Sequence, residues 1–167
     1  MASRRPVEDG LATVDSATKN SNLSAWSLHP QLEHDTAFVG DLPLSRLLLA
    51  NDANYPWLLL VPRRVVASEI IDLAAPDRAQ LMEEVARVAQ ALKALTACHK
   101  RNVAAIGNMV PQLHVHIVAR RRDDPAWPKP VWGAVPPRDY DPAARERFIA
   151  ALRGEIGAEP VLTFATV

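Results

Sequence analysis

His114 and His116 stand two residues apart in the segment Gln112-Leu113-His114-Val115-His116-Ile117-Val118. The segment alternates polar and apolar residues with a period of two, the pattern of a half-buried β-strand. Gln112, His114 and His116 are therefore expected on one face, with Leu113, Val115 and Ile117 on the other. Residues i and i+2 of a strand lie roughly 6.6–6.8 Å apart, so two imidazoles so placed can flank one phosphate-sized group. With an unperturbed pKa of about 6.5, one ring can attack as a nucleophile near neutral pH while its neighbour carries a proton. Taken alone, a His-X-His pair is as readily the solvated polar face of a strand. Its surroundings narrow the choice. Gly107-Asn108-Met109-Val110-Pro111 is a turn signal ahead of the pair, and Arg120-Arg121-Arg122 follows it. A glycine turn leading into a histidine strand with arginines beyond reads as an anion site.

The elements that must position this pair are partly legible. Residues 1–22 are polar and without periodicity, which predicts a flexible N-terminal tail. Order is expected from Leu23–Leu32, with Trp26 and Leu28 as the first apolar anchors. Short strands are predicted at Thr36–Val39 and Ser45–Ala50. A loop dense in turn formers, Asn51-Asp52-Ala53-Asn54-Tyr55-Pro56, follows them. Trp57–Val61 is a continuous apolar run, as in a strand buried on both faces. From Pro76 the period changes: Leu81, Val85, Val88, Leu92 and Leu95 mark an amphipathic helix, with Asp77 at its start and Lys100-Arg101 near its far end. A weak strand signal at Ala104–Ile106 precedes the histidine strand, expected over 112–119.

Residues 123–142 differ in kind. Six of the fourteen prolines fall there, interleaved with Trp127, Trp132 and Tyr140. Such a segment is neither helix nor central strand. Two tryptophans argue against a free linker, because exposing both would forfeit burial energy. An ordered extended arm is expected, packed on the domain or on a partner subunit. Asp141-Pro142 then opens a last helix running through Arg153, with Phe148, Ile149 and Leu152 inward.

At 167 residues the chain suits one domain with a substantial core. Lysine plus arginine and aspartate plus glutamate both number 19, so no bulk attraction to nucleic acid or membrane is expected and any anion selectivity must be local. No apolar run approaches a membrane span, and the N-terminus does not read as a secretory signal. The single cysteine, Cys98, excludes an intrachain disulfide and a cysteine-rich zinc site. A cytoplasmic enzyme or binding protein is the expectation.

With those residues in view, the chain resembles the histidine triad (HIT) superfamily of nucleotide hydrolases and transferases. The family signature is His-φ-His-φ-His-φ-φ, with φ apolar. Leu113, His114, Val115, His116, Ile117 and Val118 match it, while Gln112 stands at the first triad position. Tyr55-Pro56-Trp57-Leu58-Leu59-Leu60-Val61-Pro62-Arg63-Arg64 is similar to the family's proline, short strand, proline-basic segment. The likeness runs from about residue 36 to about 122, and the glutamine variant with its Trp-rich tail looks like a bacterial branch. It implies an α+β fold: an antiparallel sheet of about five strands with one main helix, pairing into a homodimer. The chain then divides into the tail (1–22), a HIT-like domain (23–122) and the arm with its C-terminal helix (123–167).

The resemblance also assigns roles. His114 would attack the α-phosphorus of a nucleotide or nucleotide conjugate, giving a nucleotidyl-histidine that water hydrolyses. His116 would contact the charge that builds up during transfer. Gln112 cannot titrate, but a backbone carbonyl near it would orient the nucleophile. Gly107, Asn108 and Met109 occupy the phosphate-loop region, or form a simple turn with glycine at positive φ. Asn51 corresponds to the ribose-binding position, Asp52 being the alternative and an Asx turn the plain reading. His29, His34 and His99 read as structural or solvated, and Arg120–Arg122 as a solvated strand end from which one guanidinium could reach a distal phosphate. Trp127 and Trp132 read as packing residues, with a lining role open.

The covalent step asks for no cofactor or metal. Two rivals stand beside the enzyme: a nucleotide-binding protein with little turnover, and a metal enzyme using His114 and His116 as ligands, for which no spacing supplies a third. The leaving group and the base preference are not written in the sequence.

Overall fold

The computed structural model describes residues 26–157. The expected tail at 1–22 lies outside the described residues, as does the segment after 157. Five strands, β1 (Thr36–Asp41), β2 (Ser45–Ala50), β3 (Trp57–Pro62), β4 (Lys100–Ala104) and β5 (Val115–Arg120), form one antiparallel sheet in the order β1-β2-β3-β5-β4. Three helices accompany it: α1 (Pro30–Asp35), α2 (Ala75–Thr96) and α3 (Pro142–Ile156). The fold is α+β, and no described helix is long and apolar enough to cross a membrane.

Alternation along the strands gives the sheet two different faces. Leu47, Leu49, Leu58, Leu60, Val115 and Ile117 point to one side, where the buried stripe of α2 (Leu81, Val85, Val88, Leu92) and Ile149 and Leu152 of α3 complete the main core. Leu95, the last apolar residue of the expected stripe, is left half-exposed. Leu48, Leu59 and Val61 point to the other side, covered by Leu32 of α1 with Trp26 and Leu28 before it. Because β3 is buried on both faces, it reads in sequence as an unbroken apolar run rather than as alternation.

Two buried charges hold elements in register. The Glu84 carboxylate on α2 accepts from the backbone N–H groups of Leu44 (2.7 Å) and Ser45 (3.1 Å), fixing the start of β2. Arg120, 1% exposed, donates to both Asp124 oxygens at 2.8 and 3.0 Å and to Asn102 Oδ1 at 2.7 Å. Its guanidinium also lies 5.7 Å from the Trp127 ring. Thus Arg120 is not the solvated strand end expected of it; it ties the edge strand to the root of the arm. Arg121 and Arg122 are exposed.

Other boundaries also move. The histidine strand starts at Val115 rather than at residue 112, because pairing with β3 begins at Leu60↔Val115. The fourth strand is Lys100–Ala104 rather than Ala104–Ile106. Helix α2 ends at Thr96, where Ala97 turns left-handed (φ 50°), so Lys100 and Arg101 belong to β4 and not to the helix end. An edge strand half facing solvent needs little apolar patterning, which is why this one was faint. Helix α1 has six residues, too short for a periodic signal. The arm after β5 is a chain of turns that buries Ala126 and Val131 against Tyr55 and Val118. Asp141 caps α3 as expected, its carboxylate accepting from Ala144 N–H at 2.8 Å.

Candidate active site

The face of the sheet opposite α2 carries the site. His116 lies on the interior strand β5, opposite Leu59 of β3 and Ala104 of β4. His114 lies just ahead of that strand, and Leu113 immediately before it is pinned by its N–H donating to Ala67 O at 2.9 Å. The two imidazoles meet edge to face, with centroids 4.8 Å apart. Both are buried.

Each ring is held by a partner that permits only one role. His114 Nδ1 lies 2.7 Å from the carbonyl oxygen of Gln112. A carbonyl can only accept, so Nδ1 carries the hydrogen and the neutral ring keeps its lone pair on Nε2. His116 Nδ1 lies 3.0 Å from Trp57 Nε1. An indole N–H can only donate, so His116 Nδ1 is the acceptor and its hydrogen sits on Nε2. The neighbouring rings therefore hold opposite tautomers. Trp57 reaches His116 because it pairs with Val118, making it a diagonal neighbour across the β3–β5 ladder. Trp132, from the arm, packs edge-on against both, 5.4 Å from His116 and 5.5 Å from Trp57.

Burial, and next the adjacent His114, push the His116 pKa down to about 4. At neutral pH its one ring hydrogen sits on Nε2, and the ring is an uncharged donor.

The rings open into a cavity of about 320 Å³. Gly107, Asn108 and Met109 line it together with His114 and His116, so the structure brings five of the sequence-derived site residues to one place. Gly107 has φ +67°, the left-handed conformation that turns the loop toward the histidines. Three others do not line it. The Gln112 side chain turns toward the segment before α1, accepting from His29 N–H and donating to Ser27 O, both at 2.9 Å. Only its carbonyl touches His114, which corrects the expectation that its amide shares the histidine face. Asn51 donates through Nδ2 to His34 O at 3.1 Å, and its buried Oδ1 has no hydrogen-bond partner. Asp52 is taken up by an Asx turn, accepting from Asn54 N–H (2.9 Å) and Arg138 N–H (3.2 Å).

Asp35 and Trp57, which the sequence does not mark as site residues, also line the cavity, as does Trp132, for which the sequence leaves a lining role open. Burial raises the Asp35 carboxyl, but hydrogen bonds from His34 and Gln31 outweigh it and hold the group below the usual carboxylate range. Asp35 had no motif to announce it. Trp57 was visible as the bulky first residue of the apolar run, and Trp132 as an aromatic in a proline-rich arm. Among the described residues, no group of three or more His, Cys, Asp or Glu side chains is placed to hold a metal ion.

A five-stranded antiparallel sheet with a buried histidine pair facing a cleft is the architecture of the histidine triad proteins. The HIT domain family matches residues 31–123, and the chain belongs to that family. A histidine triad protein of Bradyrhizobium japonicum is 60% identical, with a TM-score of 0.78 over 79% of this chain and 98% of that one. A HIT protein of Sinorhizobium meliloti is 39% identical, with a TM-score of 0.78 over 80% and 98% of the two chains. A histidine triad protein of Marinobacter aquaeolei is also 39% identical, at 0.77 over 79% and 96%. No curated protein matches the chain.

The lowered His116 pKa has a consequence for stability. Its folded value lies below that of an unfolded imidazole, so the unfolded chain binds the extra proton between about pH 6.5 and 4. The contribution is fully present above about pH 6.5 and is lost as pH falls toward 4, by up to about 3 kcal/mol. Thermal unfolding from pH 7.5 to 4.5 should show Tm falling in this window for the wild type. The fall should be clearly smaller for His116→Gln; equal slopes in the two proteins would contradict the assignment.

Proposed function

We propose that the protein is a nucleotide hydrolase or nucleotidyl transferase that works through a nucleotidyl-His114 intermediate. The observation that carries this reading is the His114 Nδ1 bond to the Gln112 carbonyl, which leaves Nε2 as the ring's free lone pair in a residue that lines the cavity. That nitrogen attacks the α-phosphorus, the leaving group departs, and water then displaces His114 from phosphorus. His116 Nε2–H donates to the charge developing on the oxygens. Backbone N–H groups of the Gly107–Met109 turn accommodate the phosphate. Asn51, next to the wall residue Ala50, is the ribose contact that the family resemblance assigns, and its side chain must turn from the His34 carbonyl to bring the buried, unpartnered Oδ1 to a ribose hydroxyl. Asp52 is the weaker choice because both the turn and Arg138 already use it. Gln112 acts through its carbonyl rather than its amide.

The family resemblance also supports a homodimer. The exposed edge strand β4, with Val103 50% exposed, offers unpaired backbone and apolar surface to a second copy.

His114→Ala should abolish release of nucleoside monophosphate from a panel of nucleotide conjugates while leaving nucleotide binding and the unfolding transition nearly intact. Rates like those of the wild type would rule out covalent catalysis. A wild-type protein that is stabilised by nucleotides yet releases no product would instead be a binding protein.

At micromolar concentration, light scattering should return twice the 18.3 kDa chain mass. A monomer mass would refute the dimer.

A further inference from the structure

We propose that Trp57 is a positioning residue that fixes His116 as a neutral donor, and that the site therefore selects substrates whose leaving group departs without a proton. Such substrates are nucleotides linked through a phosphate, carboxylate or acidic phenol oxygen, in preference to those linked through an alkyl alcohol or alkyl amine. The inference rests on the nucleotidyl-transfer reading above.

The geometry that carries it is the 3.0 Å contact from Trp57 Nε1 to His116 Nδ1. Protonating His116 would place a second N–H on Nδ1, pointing at the indole N–H. The hydrogen bond would be lost and two donors would face each other in a dry site. Trp132 packs edge-on against both rings, which restrains either from turning away. Burial and His114 are the influences that set the His116 charge, and the Asp35 carboxylate in the same cavity adds no resolved pull toward the imidazolium. Leu59 of β3 and Ala104 of β4 flank His116, and among the described residues His114 and Asp35 are the only other titratable groups lining the cavity. Burial and His114 both act against the imidazolium, consistent with the contact.

A neutral imidazole donates a hydrogen bond but does not surrender its remaining proton near neutral pH. During transfer, the His114 Nε2 lone pair forms the N–P bond as the bond from phosphorus to the leaving oxygen breaks. The electron pair goes with that oxygen. His116 Nε2–H stabilises the resulting anion without neutralising it. His114 has no proton to lend either: Nε2 is bonded to phosphorus, and Nδ1–H is held by the Gln112 carbonyl. The Asp35 carboxyl, held below its ordinary range, is ionised. In the second step water attacks phosphorus, the N–P electron pair returns to His114, and the water's proton passes to solvent. Every proton and electron pair is thereby placed, and nowhere is one available for a basic leaving group.

The test is a series of aryl and alkyl esters and an alkyl phosphoramidate of adenosine and guanosine 5′-monophosphates, with leaving groups of graded basicity. In the wild type, kcat/KM should fall steeply along the series. The alkyl members should trail the most acidic phenols by at least the assistance a general acid supplies, roughly 10²–10⁴-fold. Trp57→Phe keeps a ring and removes the N–H. It should narrow this spread, add a pH-dependent limb for the basic leaving groups, and lower kcat on the acidic ones by on the order of tenfold, the worth of one hydrogen bond, with KM little changed. Independently of turnover, ¹⁵N NMR of the wild type at pH 7 should show His116 bare at Nδ1 and protonated at Nε2. A charged His116 or a hydrogen on Nδ1 would overturn the lock even if the Phe variant did not fold. A flat rate series in the wild type would overturn the selectivity. Turnover of none of the compounds would instead remove the nucleotidyl-transfer reading and the substrate preference with it, while the NMR signal would still decide the role of Trp57.

Discussion

Two imidazoles in van der Waals contact must not compete for one proton, and the structure meets this constraint with two partners of fixed polarity. The Gln112 carbonyl can only accept and the Trp57 indole can only donate, so His114 and His116 hold opposite tautomers. One ring offers a lone pair, the other an N–H. Neither partner depends on pH, so the arrangement is stable wherever the rings stay neutral. Each bond contributes only about 0.5–1.5 kcal/mol to stability, yet each decides which nitrogen can do chemistry.

Much of the remaining fold can be read as what keeps those two bonds in register. The β3–β5 ladder sets Trp57 diagonal to His116, and a one-residue slip would send the indole to the α2 face. The main core on that face, with Glu84 fastening α2 to the start of β2, makes such a slip costly. On the other side, Arg120 and Asp124 anchor the arm so that Trp132 closes against His116 and Trp57. The Gln112 side chain ties the segment before α1 to the histidine-bearing loop, so the carbonyl that orients His114 is itself held from outside the cavity.

What could be read from sequence alone follows from how local each signal was. The histidine pair, the buried run Trp57–Val61, the stripe of α2 and the Asp141 cap are all written within a few residues of themselves. Lys100–Ala104 was faint because an edge strand needs apolar side chains on little more than one position. Trp57 is not legible as a site residue, and Trp132 only as a packing residue with a lining role open, since their roles arise from contacts with His116 across 59 and 16 positions of chain. Gln112 touches His114 through its carbonyl, while its side chain, expected on the histidine face, is drawn away by Ser27 and His29, partners more than eighty residues distant that no local pattern announces. Arg120 illustrates the same limit in reverse. Three consecutive arginines read as a solvated end, and only the fold reveals that the first is buried against Asp124 and Asn102.

The central claim is that His114 Nε2 becomes bonded to phosphorus. It is tested most directly by acid-free rapid quenching of the wild-type protein with a nucleotide carrying a good leaving group, followed by mass spectrometry of the peptide spanning the histidines. The account predicts a nucleoside monophosphate adduct on His114, formed and lost at rates compatible with turnover. An adduct on His116, or steady turnover with no adduct on either histidine at any time point, would contradict it.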